Sequence, residues 1–151
     1  MRAALLLVAI VLFGCTAKPE RTVSAGDDVR LQLGRAYLAQ GKLKLAYPHL
    51  QIALMNSPQS LNTNLAMAQW YLATNDVDSA LSLYQQALSW QPMSGALFNN
   101  YAVALCVAGD WKTALTYFDK VTLDPAYPHP ARAKANRAEC LARVSHDAAQ
   151  P

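Results

Sequence analysis

The chain has 151 residues, 53% of them apolar and 15% charged, with a formal net charge of +3. That is one domain's worth of sequence, with apolar material for a core and too little charge for a disordered chain. The 13 Lys and Arg are scattered, with no basic stripe interleaved with aromatics, so nucleic-acid binding has little support.

Arg2 is followed by an unbroken apolar run from Ala3 to Phe13, then by Gly14 and Cys15. A helix of that length reaches about 16 Å, roughly half a bilayer core, so it is too short to span one stably. A positive start, a short apolar stretch and a small residue before the break describe an export signal over residues 1–14. The ending Leu12-Phe13-Gly14-Cys15 resembles a bacterial lipobox, in which the cysteine thiol takes a diacylglyceryl group and becomes the mature N-terminus. An ordinary secretory leader with an incidental Cys15 is the alternative. Thr16 follows, not an Asp, which points to the periplasmic face of the outer membrane. Residues 15–26 lack apolar periodicity and are read as a lipid-anchored tether.

From residue 27 a 34-residue period governs the chain. Tyr37, Tyr71 and Leu105 follow it, as do Ala46, Ala80 and Ala114; Leu50, Tyr84 and Phe118; and Gly41, Asn75 and Gly109. Alanine and leucine dominate and strand-like alternation is missing, so the class is all-α. This period, with small, aromatic and Pro positions in that order, marks the tetratricopeptide helical hairpin. The expected fold is a solenoid of three hairpins, 27–60, 61–94 and 95–128, plus a partial repeat over 131–144 that caps it. Gly34 and Ala46 stand where the two helices of a hairpin cross. Gly41, Asn75 and Gly109 end the first helix of each hairpin, because that turn favours residues that accept positive φ. Pro58 stops the second helix of repeat one.

After Thr122 the phase slips, and the Pro-rich run from Asp124 to Pro130 forms a stiff connection. The final stretch regains the pattern with Ala138 and Leu141, 36 residues after Ala102 and Leu105. It is read as a first helix with no second helix behind it, with Arg132, Lys134, Arg137, Glu139 and Arg143 as a polar outer face. Residues 145–151 are expected to fray.

No catalytic set emerges. His49, His129 and His146 lie in different segments, none at metal-ligand or triad spacing with a Cys, Asp or Glu. There is no glycine-rich phosphate loop and no HExxH. The chain is read as not an enzyme, with no metal, no cofactor beyond lipid on Cys15, and no small-molecule substrate. Cys106 and Cys140 remain as an even pair, late in two adjacent first helices whose axes stack about 8–10 Å apart. They are read as a disulfide, with two small buried thiols as the alternative.

A stack of such hairpins presents a concave face lined by its first helices. The residues expected there are Leu31, Arg35 and Leu38; Leu65, Gln69 and Leu72; and Asn99, Val103 and Cys106, with Arg132 and Glu139 from the cap. The groove is mostly apolar with a few amides and suits an amphipathic helix or an extended segment. Some of these apolar residues, on the blander reading, pack on the adjoining helix.

The stretch Asn99-Asn100-Tyr101-Ala102-Val103-Ala104-Leu105-Cys106, with Gly109, Ala114, Phe118, Pro125-x-Tyr127-Pro128, Asn136 and Cys140, resembles the type IV pilus biogenesis lipoproteins of the PilF/PilW family. Lipobox, tether and repeat array agree with that family in order. The family pattern has more repeats, and often a glycine where Ala102 stands. The resemblance implies a pilotin: an outer-membrane lipoprotein that binds a secretin subunit and helps it localise and assemble. A scaffold of another cell-envelope pilus, secretion or assembly complex is the alternative.

Overall fold

The computed structural model describes residues 25–148. The expected leader, Cys15 and most of the tether therefore lie outside the described residues, as do residues 149–151. Seven α-helices are present among the described residues: α1 (Ala25–Ala39), α2 (Leu43–Asn56), α3 (Leu61–Ala73), α4 (Val77–Leu88), α5 (Gly95–Val107), α6 (Trp111–Lys120) and α7 (Pro130–Ala148). Pairs α1–α2, α3–α4 and α5–α6 are the three hairpins. The first helix takes in Ala25 and Gly26, which the sequence assigned to the tether.

Each hairpin turns on a left-handed residue. Gly41, Asn75 and Gly109 have φ of 69°, 62° and 84°. Asp76 and Asp110 then cap α4 and α6 by accepting hydrogen bonds from the backbone N–H of Ser79 (3.1 Å) and Thr113 (3.2 Å). These caps satisfy donors that the first helical turn leaves free. Lys42, at the same step before α2, offers no such side-chain acceptor.

Small residues let the helices of a hairpin close. Ala46, Ala80 and Ala114 are fully buried. A Cβ added at Gly34 would lie 2.5 Å from Leu50 Cδ2, so α1 and α2 approach too closely there for even a methyl. Leu50, Tyr84 and Phe118, 34 apart, fill the core beside these alanines. The buried residues form a cluster in repeat one that reaches Ala66 and Met67 of α3. A larger cluster runs from Ala68 through repeat three to Cys140. Trp70 ties the first two repeats together by donating its indole N–H to the Leu43 carbonyl at 2.8 Å.

The connections between hairpins are pinned by side chains the period does not require. Asn64 is 1% exposed, and its amide donates to the Pro58 carbonyl at 2.7 Å and the Ser60 carbonyl at 2.9 Å. Asp124 accepts from the N–H of Gly95 at 2.8 Å and of Ala126 at 3.0 Å, folding the last connection back over the start of α5.

The final helix differs from the sequence reading in extent and in how much of it is covered. It continues to Ala148, so residues 145–148 are helical rather than frayed. Ala138 and Leu141, expected to regain the core pattern, are exposed, Leu141 by 38%. Ala133 and Cys140 are the buried residues instead, at 5% and 1%. No second helix follows α7 among the described residues, so the side that would meet one is exposed and only the side toward α5 and α6 is covered. On that side Cys140 is bonded to Cys106, with their Cα atoms 5.8 Å apart, and Asn136 donates to Asn99 Oδ1 at 2.9 Å.

Candidate protein-binding face

Helices α1, α3, α5 and α7 lie side by side and make the inner face of the solenoid. Arg35, Gln69 and Val103 occupy one step of the 34-residue period along its floor; Arg35 is exposed, and the other two are half-buried. Arg137 of α7 turns instead toward α6. Its guanidinium meets Asp119 at 3.0 Å, both side chains largely in water.

Amides organise the middle of this face. Gln69 Nε2 donates to Asn100 Oδ1 at 3.2 Å, and Asn100 Nδ2 donates to the Ala96 carbonyl at 2.7 Å. The chain of bonds fixes both amide orientations and joins α3 to α5. Leu65 and Leu72 are half-buried against the larger core cluster, and Leu38 is half-buried against that of repeat one. Each still presents part of its surface.

Three expected groove residues are not available to a partner. Leu31 is 9% exposed and belongs to the core of repeat one. Asn99 is 2% exposed, its carbonyl taken by Asn136. Cys106, also placed in the groove, is 5% exposed and bonded to Cys140. The reason is shared: in a close stack, part of each first helix turns toward the next first helix, not into the trough.

Beside the disulfide a small cavity of about 50 Å³ opens between Val103, Val107, Asn136 and Glu139. Glu139 pairs with Arg143 at 2.8 Å on α7. The histidines are separate. His49 stacks on Tyr37 at 5.7 Å, His129 meets the edge of Tyr127 at 6.0 Å, and His146 stands on α7. Among the described residues no group of three or more His, Cys, Asp or Glu is placed to hold a metal ion. The face offers apolar patches, amides and isolated cations, which is chemistry for holding a peptide. Among the described residues, no helix is long and apolar enough to cross a membrane.

A tetratricopeptide-repeat family profile matches residues 37–99. With its hairpins, turns and inner face, the chain is a tetratricopeptide-repeat protein. It is 28% identical over 144 residues to the type IV pilus assembly protein PilF of Pseudomonas aeruginosa, a match covering 90% of this chain and 57% of that protein. The crystal structure of PilW, described as a widely conserved type IV pilus biogenesis factor, superposes with a TM-score of 0.73 at 29% identity, covering 82% of this chain and 56% of that one. A solved structure of Pseudomonas aeruginosa PilF gives 0.72 at 24% identity, covering 80% of this chain and 54% of the other, a likeness of fold. Among tetratricopeptide-repeat proteins the chain is thus similar to PilF and PilW of type IV pilus biogenesis. It spans just over half the length of these relatives.

Proposed function

We propose that this protein is a pilotin-like binding module of type IV pilus biogenesis: a lipoprotein held at the periplasmic face of the outer membrane through Cys15. Its inner face takes a segment of a secretin subunit and so helps the secretin localise and assemble. No bond is made or broken in this role. The observation that carries the reading is the row Arg35, Gln69 and Val103 along an open face of stacked first helices, in a chain related to a pilus assembly protein. A trough with apolar walls and oriented amides fits a peptide whose backbone needs partners and whose side chains need cover.

The test is a pull-down from membranes with the wild type and with Gln69→Arg/Val103→Arg, two positions outside the fully buried core. The double variant should keep its helical circular-dichroism signal and lose the secretin, and cells carrying it should hold fewer secretin multimers. Unchanged multimers with unchanged co-purification would defeat the proposal. Recovery of a different envelope complex and no secretin would favour a scaffold role instead.

A further inference from the structure

The repeats supply an internal control for what their own surfaces should look like. Val29 stands at the position of Thr63 and Leu97, and Leu33 at that of Met67 and Tyr101. Exposure is 2% and 0% at Thr63 and Leu97, and 2% and 5% at Met67 and Tyr101, against 54% at Val29 and 40% at Leu33. The preceding hairpin that covers the later residues has no counterpart before α1 among the described residues.

Helix α2 adds a second apolar set that the repeat does not account for. Leu45 and Ile52 are 51% and 37% exposed, where repeat two has Ser79 and Gln86 and repeat three has Thr113 and Lys120. At about 100° per residue they flank His49 on one side of α2. His49 holds the place of Leu83, which packs back on the core of the repeat before it. That side of α2 therefore looks away from repeat two. Arg30 Nη1 lies 3.3 Å from His49 Nδ1, joining the α1 and α2 halves into one patch. Met55, 70% exposed, stands at its rim.

Charge follows the same division. Repeat one, 27–60, holds Arg30, Arg35, Lys42 and Lys44 against Asp27 and Asp28, a net +2, whereas from Leu61 to Pro128 the sequence holds five Asp and two Lys, a net −3. All four cations of repeat one are exposed. Residues 1–24 join the fold at Ala25, at this same end. The ten residues from Cys15 to Ala25 reach at most about 35 Å, so an anchor there would keep repeat one close to the bilayer.

We propose that the N-terminal end of the solenoid docks on an anionic phospholipid surface, resting on the lipid-anchored reading above. Val29, Leu33, Leu45 and Ile52 enter the interfacial zone, and the surrounding cations meet the phosphates. The solenoid then rises from the membrane with the disulfide-bonded cap at its far end. A second copy is a poorer occupant, because a two-fold contact of this face with itself brings like charges together.

The test uses the full acylated chain, purified from membranes and reconstituted into vesicles of phosphatidylethanolamine and phosphatidylglycerol with brominated acyl chains. A fluorophore is placed on Met55→Cys or, as the distant control, Leu123→Cys. Quenching is expected at position 55 and not at 123, and it should disappear in phosphatidylcholine vesicles and in a Leu45→Asp/Ile52→Asp background that keeps its helical signal. A chain that does not float with the vesicles overturns the anchored reading and docking with it. A chain that floats with position 55 unquenched overturns docking alone. Equal quenching at both positions, quenching indifferent to the headgroup, or a detergent-stable dimer lost in the Asp variant also overturns it.

Discussion

Repeats one and three place related residues at matching steps of the period, but they meet different neighbours. Repeat three is enclosed: α4 covers one side of α5, α7 covers another, and Asp110, Asn99 and Cys106 each have a partner. Repeat one has one covered side, a Lys where the cap would be, and Val29 and Leu33 in water. In a solenoid, then, a side chain is buried by the hairpin beside it as much as by its own place in the repeat.

The sharpest way to break that comparison is to truncate one step of the period at both ends. Tyr101→Ala removes a ring packed between Tyr84 and Tyr117 and should cost about 3–5 kcal/mol in urea unfolding. Leu33→Ala, at the same step but 40% exposed, should cost about 0.5 kcal/mol or less. Equal losses would mean that the first repeat is covered after all.

Removing the disulfide sharpens the comparison from the other side. Its partners are 34 residues apart, and opening a loop of that size should lower stability by about 3–4 kcal/mol on the chain-entropy model. The loss should be local, since α7 has few other buried residues. In Cys106→Ala/Cys140→Ala, amide exchange should quicken along α7 and the end of α5, with α1 and α2 nearly unchanged. Uniform quickening along the chain would show that the hairpins unfold together.

What could be read beforehand follows the same line. Gly41, Asn75 and Gly109 revealed the turns because positive φ restricts residue type whatever the neighbours are. Ala46, Ala80 and Ala114 revealed the crossings because helix approach limits side-chain size. The groove was legible only in part. Leu31 and Leu38 are both leucines on one helix, and nothing in their identity tells which meets a neighbouring helix and which keeps an open side. Asn99 was read as a polar groove residue because its partner, Asn136, comes from a helix 37 positions on. The exposure of Ala138 and Leu141 follows from packing, not register: they match a core pattern whose other half, a second helix, does not follow among the described residues.

The smallest effect tests the middle of the stack, where Leu50, Tyr84 and Phe118 share one step of the period. Tyr84 is 1% exposed and its hydroxyl has no hydrogen-bond partner, whereas repeat three manages with Phe118. An unpaired buried hydroxyl is a liability, so Tyr84→Phe should be neutral or raise stability by about 1 kcal/mol. Desolvation also pushes the Tyr84 phenol well above its ordinary value of 10.0. In the unfolded chain the phenol ionises near that value, whereas in the folded protein it stays protonated. The folded state thus holds more protons above pH 10, and stability should fall as pH rises through that range. Below it the group contributes no slope. Tyr84→Phe should flatten the alkaline limb of a stability-versus-pH curve; an unchanged limb would mean that the hydroxyl finds a partner or water in solution, and that the middle of the stack is looser than the enclosure of repeat three suggests.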